Sequence, residues 1–187
     1  EIYEPPFDPG ETRSGNQTVT RREQSLSLEF TRLKPGMQVE AFKALSIEED
    51  YTRYRKLGFY AASYGVTDYD AATDTSLFYF VRFASDEVGR NYYEYRARLP
   101  RSSRGDSVYW QQVVLPLTDL ANLKVSVAVG SGIDSLVAPG ANPGERLSVI
   151  GRPSFTRLRR ISFGLENASG REFPAGQLWL NELRATD

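Results

Sequence analysis

Apolar and polar positions begin to alternate at Ser25. Leu26, Leu28 and Phe30 interleave with Ser25, Ser27, Glu29 and Thr31, the period-two signature of a half-buried strand. Lys34-Pro-Gly36 is a turn signal. Alternation resumes over 37–45, with Val39, Ala41 and Lys43 on one face, and Glu48-Glu-Asp50 reads as an acidic loop. Residues 55–64 place Leu57, Phe59 and Ala61 on one side, and 68–75 is polar and loop-like. The run 76–84, Ser-Leu-Phe-Tyr-Phe-Val-Arg-Phe-Ala, is apolar on both faces, as a central strand packed on two sides requires. Residues 85–90 read as a hairpin connection. In 91–99, Tyr93, Tyr95, Ala97 and Leu99 face one way, and Tyr92, Glu94, Arg96 and Arg98 the other. In 108–117, Tyr109, Gln111, Val113 and Leu115 oppose Trp110, Gln112 and Val114. Pro116 ends that strand, and Thr118 is placed to cap one short turn over 119–123. Residues 131–144 are Gly/Pro-rich and read as a loop, and strands at 145–150, 159–165 and 177–185 complete the chain.

Short strands with almost no helical periodicity predict an all-β fold, an antiparallel sandwich or jelly roll. The expected core comprises Leu26, Leu28, Phe30, Leu57, Phe59, Leu77, Phe80, Val81, Tyr93, Tyr95, Val113, Leu115, Ile161, Phe163, Leu178 and Leu180. Residues 1–23 carry Pro5, Pro6, Pro9, Gly10 and Gly15 and read as an extended arm or linker, leaving 24–187 as one sandwich domain. The start at Glu1, without Met, reads as a piece of a longer chain.

Composition narrows the chemistry. Of 187 residues, 40% are apolar, enough for a sizeable core. The net charge of −1, from 23 basic and 24 acidic residues, argues against nucleic acid, which requires a basic excess. There is no Cys, hence no disulfide framework or thiolate metal site, and no His, the commonest acid/base group. No run approaches the roughly 18 apolar residues of a membrane helix. The sequence contains no Gly-rich phosphate loop and no Gly-x-Ser-x-Gly, and no carboxylate pair is singled out for glycoside hydrolysis. The chain therefore reads as a binding or structural module and not as an enzyme.

Several segments together carry a resemblance. The stretches 78–86 and 91–95 resemble a hairpin of galactose-binding-like jelly rolls, and Tyr109-Trp-Gln-Gln-Val-Val-Leu-Pro-Leu-Thr-Asp-Leu120 resembles the strand and turn of that fold. Gly151-Arg-Pro-Ser-Phe-Thr-Arg-Leu-Arg-Arg-Ile-Ser-Phe-Gly164 with Trp179-Leu-Asn-Glu-Leu-Arg184 looks like a soluble domain of the SprA family, outer-membrane translocons of type IX secretion and gliding motility. The resemblance implies a carbohydrate-binding-module-like fold in a large cell-envelope protein, outer-membrane-associated, with other domains or proteins of the envelope as partners in protein transport. The alternative is a carbohydrate-binding module that recognises a polysaccharide. A concave groove with exposed aromatics favours sugar; a polar sheet face with hydrophobic edges favours protein contact.

Three groups of residues are candidates for binding. Asn181 and Glu182, joined by Glu29 or Asp187, offer hard oxygen ligands for a structural Ca²⁺; with no Asp-x-Asp-x-Asp loop in support, plain strand-edge chemistry is favoured over the metal. Tyr92, Glu94, Arg96, Trp110 and Gln112 make a ligand-binding platform if their strands are neighbours. Against that stands an ordinary outer sheet face on which Arg covers Tyr and pairs with Glu. The basic run Arg152, Arg157, Arg159 and Arg160 offers an anion grip, or a solvated loop paired with Glu145 and Glu166.

Overall fold

The computed structural model of the chain describes residues 11–14, 17–20, 25–126, 135–140 and 142–187. β1 (Glu11–Ser14) and β2 (Gln17–Thr20) form a hairpin of their own. Then follow β3 (Leu26–Leu33), β4 (Gln38–Glu49), β5 (Lys56–Tyr64), β6 (Leu77–Ala84), β7 (Tyr92–Arg98), the two-residue β8 (Ser102–Ser103) and β9 (Gln111–Pro116). Helix α1 (Leu117–Ser126) precedes β10 (Ser135–Pro139), β11 (Arg146–Ile150), β12 (Leu158–Asn167) and β13 (Phe173–Thr186).

Two sheets face each other as an antiparallel β-sandwich. One runs β10-β11-β7-β6-β12-β4, and the other β3-β13-β5, continued by β8 and β9, which pair different halves of β5. The core lies between them because each strand alternates its side chains. The larger sheet sends in Leu77, Tyr79, Val81 and Phe83 from β6 and Tyr93, Tyr95 and Ala97 from β7. The other contributes Leu57, Phe59 and Ala61 from β5, Val113 and Leu115 from β9 and Leu178 from β13. Phe59 and Tyr95 meet edge-on across the layers at 6.0 Å. Asn167, fully buried, ties three segments together: Nδ2 donates to the carbonyls of Leu33 (2.9 Å) and Arg171 (2.7 Å), and Oδ1 accepts from Ser169.

Most expected strands are present within a few residues; the departures have local causes. Leu26 is 56% exposed at the first position of edge strand β3; at the opposite end of that strand Arg32, at φ 57°, breaks the alternation and turns Leu33 inward. Phe80 is fully buried, but on the outer face of its sheet and not in the core. The turn expected at 119–123 is a ten-residue helix that buries Leu117 and Leu120. The loop at 131–144 contains β10, paired to β11. Glu48 and Glu49 belong to β4 and not to a loop. Within the expected arm, β1 and β2 pair; the rest of 1–24 lies outside the described residues.

Strand β4 is the outer edge of the six-stranded sheet. Leu158 pairs with Glu49 but Arg160 with Ala44, so β4 bulges out between these registers. A bulge with flanking charges blunts an edge against indiscriminate strand pairing.

Candidate functional site

The residues pointing away from the core on the six-stranded sheet form one charged layer. Pairing brings Arg82 opposite Glu94 on β7 and Ser162 on β12, and Phe80 opposite Arg96 and Gly164. The Arg82 Nε donates to Glu94 Oε2 at 2.7 Å and Nη1 to Glu40 Oε2 at 2.8 Å. Glu40 also accepts from Arg160 Nη2 at 2.6 Å, and Arg96 pairs with Glu166 at 2.9 Å. The guanidiniums lie flat on rings: Arg82 over Phe80 at 3.9 Å and Tyr92 at 4.9 Å, Arg96 over Phe78 at 3.9 Å, Arg160 over Phe42 at 3.7 Å. Each ring thus supplies both apolar cover and a negative face for the cation above it.

Burial works against the Arg82 charge, but the charge and hydrogen bond of Glu94, with Tyr92 and Glu40, together outweigh it and raise the pKa. Burial likewise works against the Glu40 carboxylate. Hydrogen bonds from Arg160 and Ser162 and the charges of Arg82 and Arg160 outweigh it and hold the pKa below the ordinary 4.5. A carboxyl depressed in the folded state adds stability above its unfolded value, and that stability is lost as pH falls through the folded value. The melting temperature is therefore expected to drop on acidification below pH 4.5. Glu40→Gln is expected to lower it at neutral pH and to flatten the acid limb. An unchanged acid limb in a melting series across pH would remove this role for Glu40.

Tyr92, Glu94 and Arg96 sit in this layer, but Trp110 and Gln112 do not. β7 lies between β6 and β11, whereas β9 pairs β5 in the other sheet. The expected platform is therefore divided between opposite sides of the sandwich. Trp110 joins a different cluster, 6.3 Å from Trp179, which in turn stacks on Tyr64 at 4.9 Å. Gln112 pairs with Tyr60 on the same outer face. Tyr60, Trp110, Gln177, Trp179 and Asn181 all have interaction partners.

The basic run separates as well. Arg159 bridges Glu48 and Glu87, both at 2.7 Å, and Arg160 reaches Glu40; the expected partners Glu145 and Glu166 bond elsewhere, to Tyr95 and Arg96. Arg152 and Arg157 are exposed. Asn181 is buried, its Oδ1 accepting the Glu182 N–H at 2.8 Å, and Glu182, at φ 54° in a bulge of β13, pairs with Arg184. Glu29 lies opposite Gln177, four residues along β13 from Asn181 and roughly 13 Å away. No cluster of three carboxylates suited to a metal occurs among the described residues.

The layer is the outer sheet face weighed against the platform, with Arg82 over Tyr92 and paired to Glu94; its individual partners were not legible because they are remote in sequence, Arg160 and Glu40 being 120 residues apart. One signal was present, a lone Arg82 in an otherwise apolar run, which requires a carboxylate beside it.

The family model SprA_N, described as a motility related/secretion protein, matches residues 7–187. A search of curated proteins returned no match. A solved exo-beta-agarase matches with a TM-score of 0.48 and 11% identity, covering 87% of this chain and 20% of that one. The chain thus spans about a fifth of that protein's length. A likeness at that level says nothing about what this chain binds. No helix among the described residues is long and apolar enough to cross a membrane.

Proposed function

From the premise that this chain belongs to the SprA_N family of motility related/secretion proteins, we propose that it is a non-catalytic domain of a large cell-envelope protein, acting through protein contacts in export and gliding. The observation that carries this reading is the six-stranded outer face, whose polar centre is bordered by exposed apolar residues. At its centre Arg82, Arg96 and Arg160 are neutralised by Glu94, Glu166 and Glu40. Phe42 (57% exposed) and Ile47 (78%) on β4, Val88 (66%) in the hairpin before β7 and Val137 (56%) on β10 line its edges. Arg159 and Arg160 hold β4 and that hairpin together through Glu48, Glu87 and the Val88 carbonyl. Aromatic residues and Arg are enriched at protein interfaces, and Phe42 and Arg160 lie together on this edge.

The alternative, a polysaccharide-binding module, rests on the Trp110–Trp179–Tyr64 cluster, whose central ring is itself buried. A photo-reactive residue at Ile47 or Val88 in the full-length parent is expected to cross-link to envelope proteins or neighbouring domains, and one at Arg157 is not. Ile47→Asp with Val88→Asp is expected to abolish the cross-links and impair motility without altering the fold. Equal cross-linking at all three positions, normal motility in the double variant, or a positive glycan array would overturn the reading.

A further inference from the structure

We propose that the cleft beside Arg101 and Arg104 binds a carboxylate side chain of a partner peptide; this rests on the protein-contact reading and names the chemistry of one contact. The chain leaving β7 is pinned before it reaches β9. Ser102–Ser103 pairs in parallel with Ser63 and Tyr64. The Ser102 Oγ accepts the Val66 N–H at 2.9 Å, and the Ser103 Oγ accepts the Tyr109 N–H at 2.8 Å. Gly105, at φ 61°, closes the turn in which Arg104 bridges Ser107. The segment is therefore a fixed frame that sets Arg101, Arg104 and Tyr109 around a cleft of about 300 Å³, with Asp70 also in its lining. The Arg101 guanidinium stacks 4.7 Å from the Tyr109 ring centroid, which limits the directions its donors can take.

These arginines differ from the paired ones at the centre of the sheet face. Arg82, Arg96 and Arg160 each hold a carboxylate, but Arg101 and Arg104 form no ion pair among the described residues. Several other polar groups of the cleft are occupied. The Tyr69 hydroxyl donates to the Leu99 carbonyl, the Ser102 Oγ is engaged as above, and Asp70 Oδ1 accepts the Ala72 N–H. Two guanidinium donor sets remain, with the Tyr109 hydroxyl and the second oxygen of Asp70 beside them. Two guanidiniums against the single carboxylate of Asp70 leave the cleft net positive, which favours the paired oxygens of a carboxylate over neutral sugar hydroxyls. The volume suits one or two side chains and not a long oligomer.

The test is fluorescence anisotropy with a labelled decapeptide rich in Asp and Glu, its Asn/Gln twin, hexagalacturonate and inorganic phosphate. The acidic peptide is expected to bind, with the amide twin at least about tenfold weaker and affinity falling as salt rises. R101Q/R104Q is expected to weaken binding by about tenfold or more, and R152Q/R157Q to leave it unchanged. Arg104→Gln alone, which breaks no observed contact, is expected to cost about threefold and guards against a folding defect in the double variant. No binding of the acidic peptide, equal binding by R101Q/R104Q, or tighter binding of hexagalacturonate or phosphate through the same two arginines would overturn the proposal. If it fails while the cross-links at Ile47 and Val88 hold, the cleft assignment falls and the protein-contact reading stands.

Discussion

Gly164→Ala is expected to destabilise the fold by about 3 kcal/mol or more, the upper range for overpacking, and to lower the melting temperature by roughly 6–12 °C for a chain of this size. A Cβ at this position would lie 2.2 Å from the Val39 carbonyl oxygen on β4 and 2.5 Å from the Phe80 ring on β6. The carbonyl belongs to the neighbouring strand and cannot swing aside as a side chain would. Phe80 has no room either, since it is fully buried beneath Arg82. The glycine lets a large ring lie flat across β12 on the outer face and gives the charged layer its apolar floor. Gly58→Ala is the control. It is also a strand glycine, but the nearest atom to its Cβ would be the Val113 carbonyl oxygen at 3.8 Å, so the change is expected to be nearly neutral. Adding Phe80→Leu to Gly164→Ala is expected to restore only part of the loss, because the Val39 contact remains. Similar melting temperatures for Gly164→Ala and Gly58→Ala would show that β12 and β4 can separate freely at this point.

That glycine also marks where sequence reading stops. Strands whose polar and apolar residues alternate were legible, as in β5 with Leu57, Phe59 and Ala61 or β7 with Tyr93, Tyr95 and Ala97. In β6 both faces are apolar, so alternation cannot say which of Tyr79 and Phe80 faces the core. The choice is made by Gly164, more than eighty residues later and opposite Phe80 in the sheet. The candidate site failed in the same way. Tyr92, Glu94 and Arg96 were correctly assigned to a polar face, and so were Trp110 and Gln112. What placed them on opposite sides of the sandwich is strand pairing, since β9 returns to β5 and not to β7. The helix α1 was underestimated because Val125 is 80% exposed and residues 117–126 show no clean apolar stripe.

Trp179→Ala is expected to cost about 3–5 kcal/mol, the range for removing a buried Trp, and to weaken the fold more than any binding activity. The residue flanks core-facing Leu178 but alternates to the outer side of β13, where only 3% of it is exposed. Its ring stacks on Tyr64 with 8° between the planes, approaches Trp110, and donates from Nε1 to Gln177 Oε1 at 2.7 Å. Removing it takes away both the stack and the cover over the middle of the five-stranded sheet. Trp179→Phe keeps most of the stack and loses the hydrogen bond, so a smaller loss of about 1 kcal/mol is expected. Chemical denaturation of the three proteins measures both differences. A stable Trp179→Ala protein that had lost only affinity for a glycan would move Trp179 from the fold to a binding surface, and the polysaccharide reading would then replace protein contact.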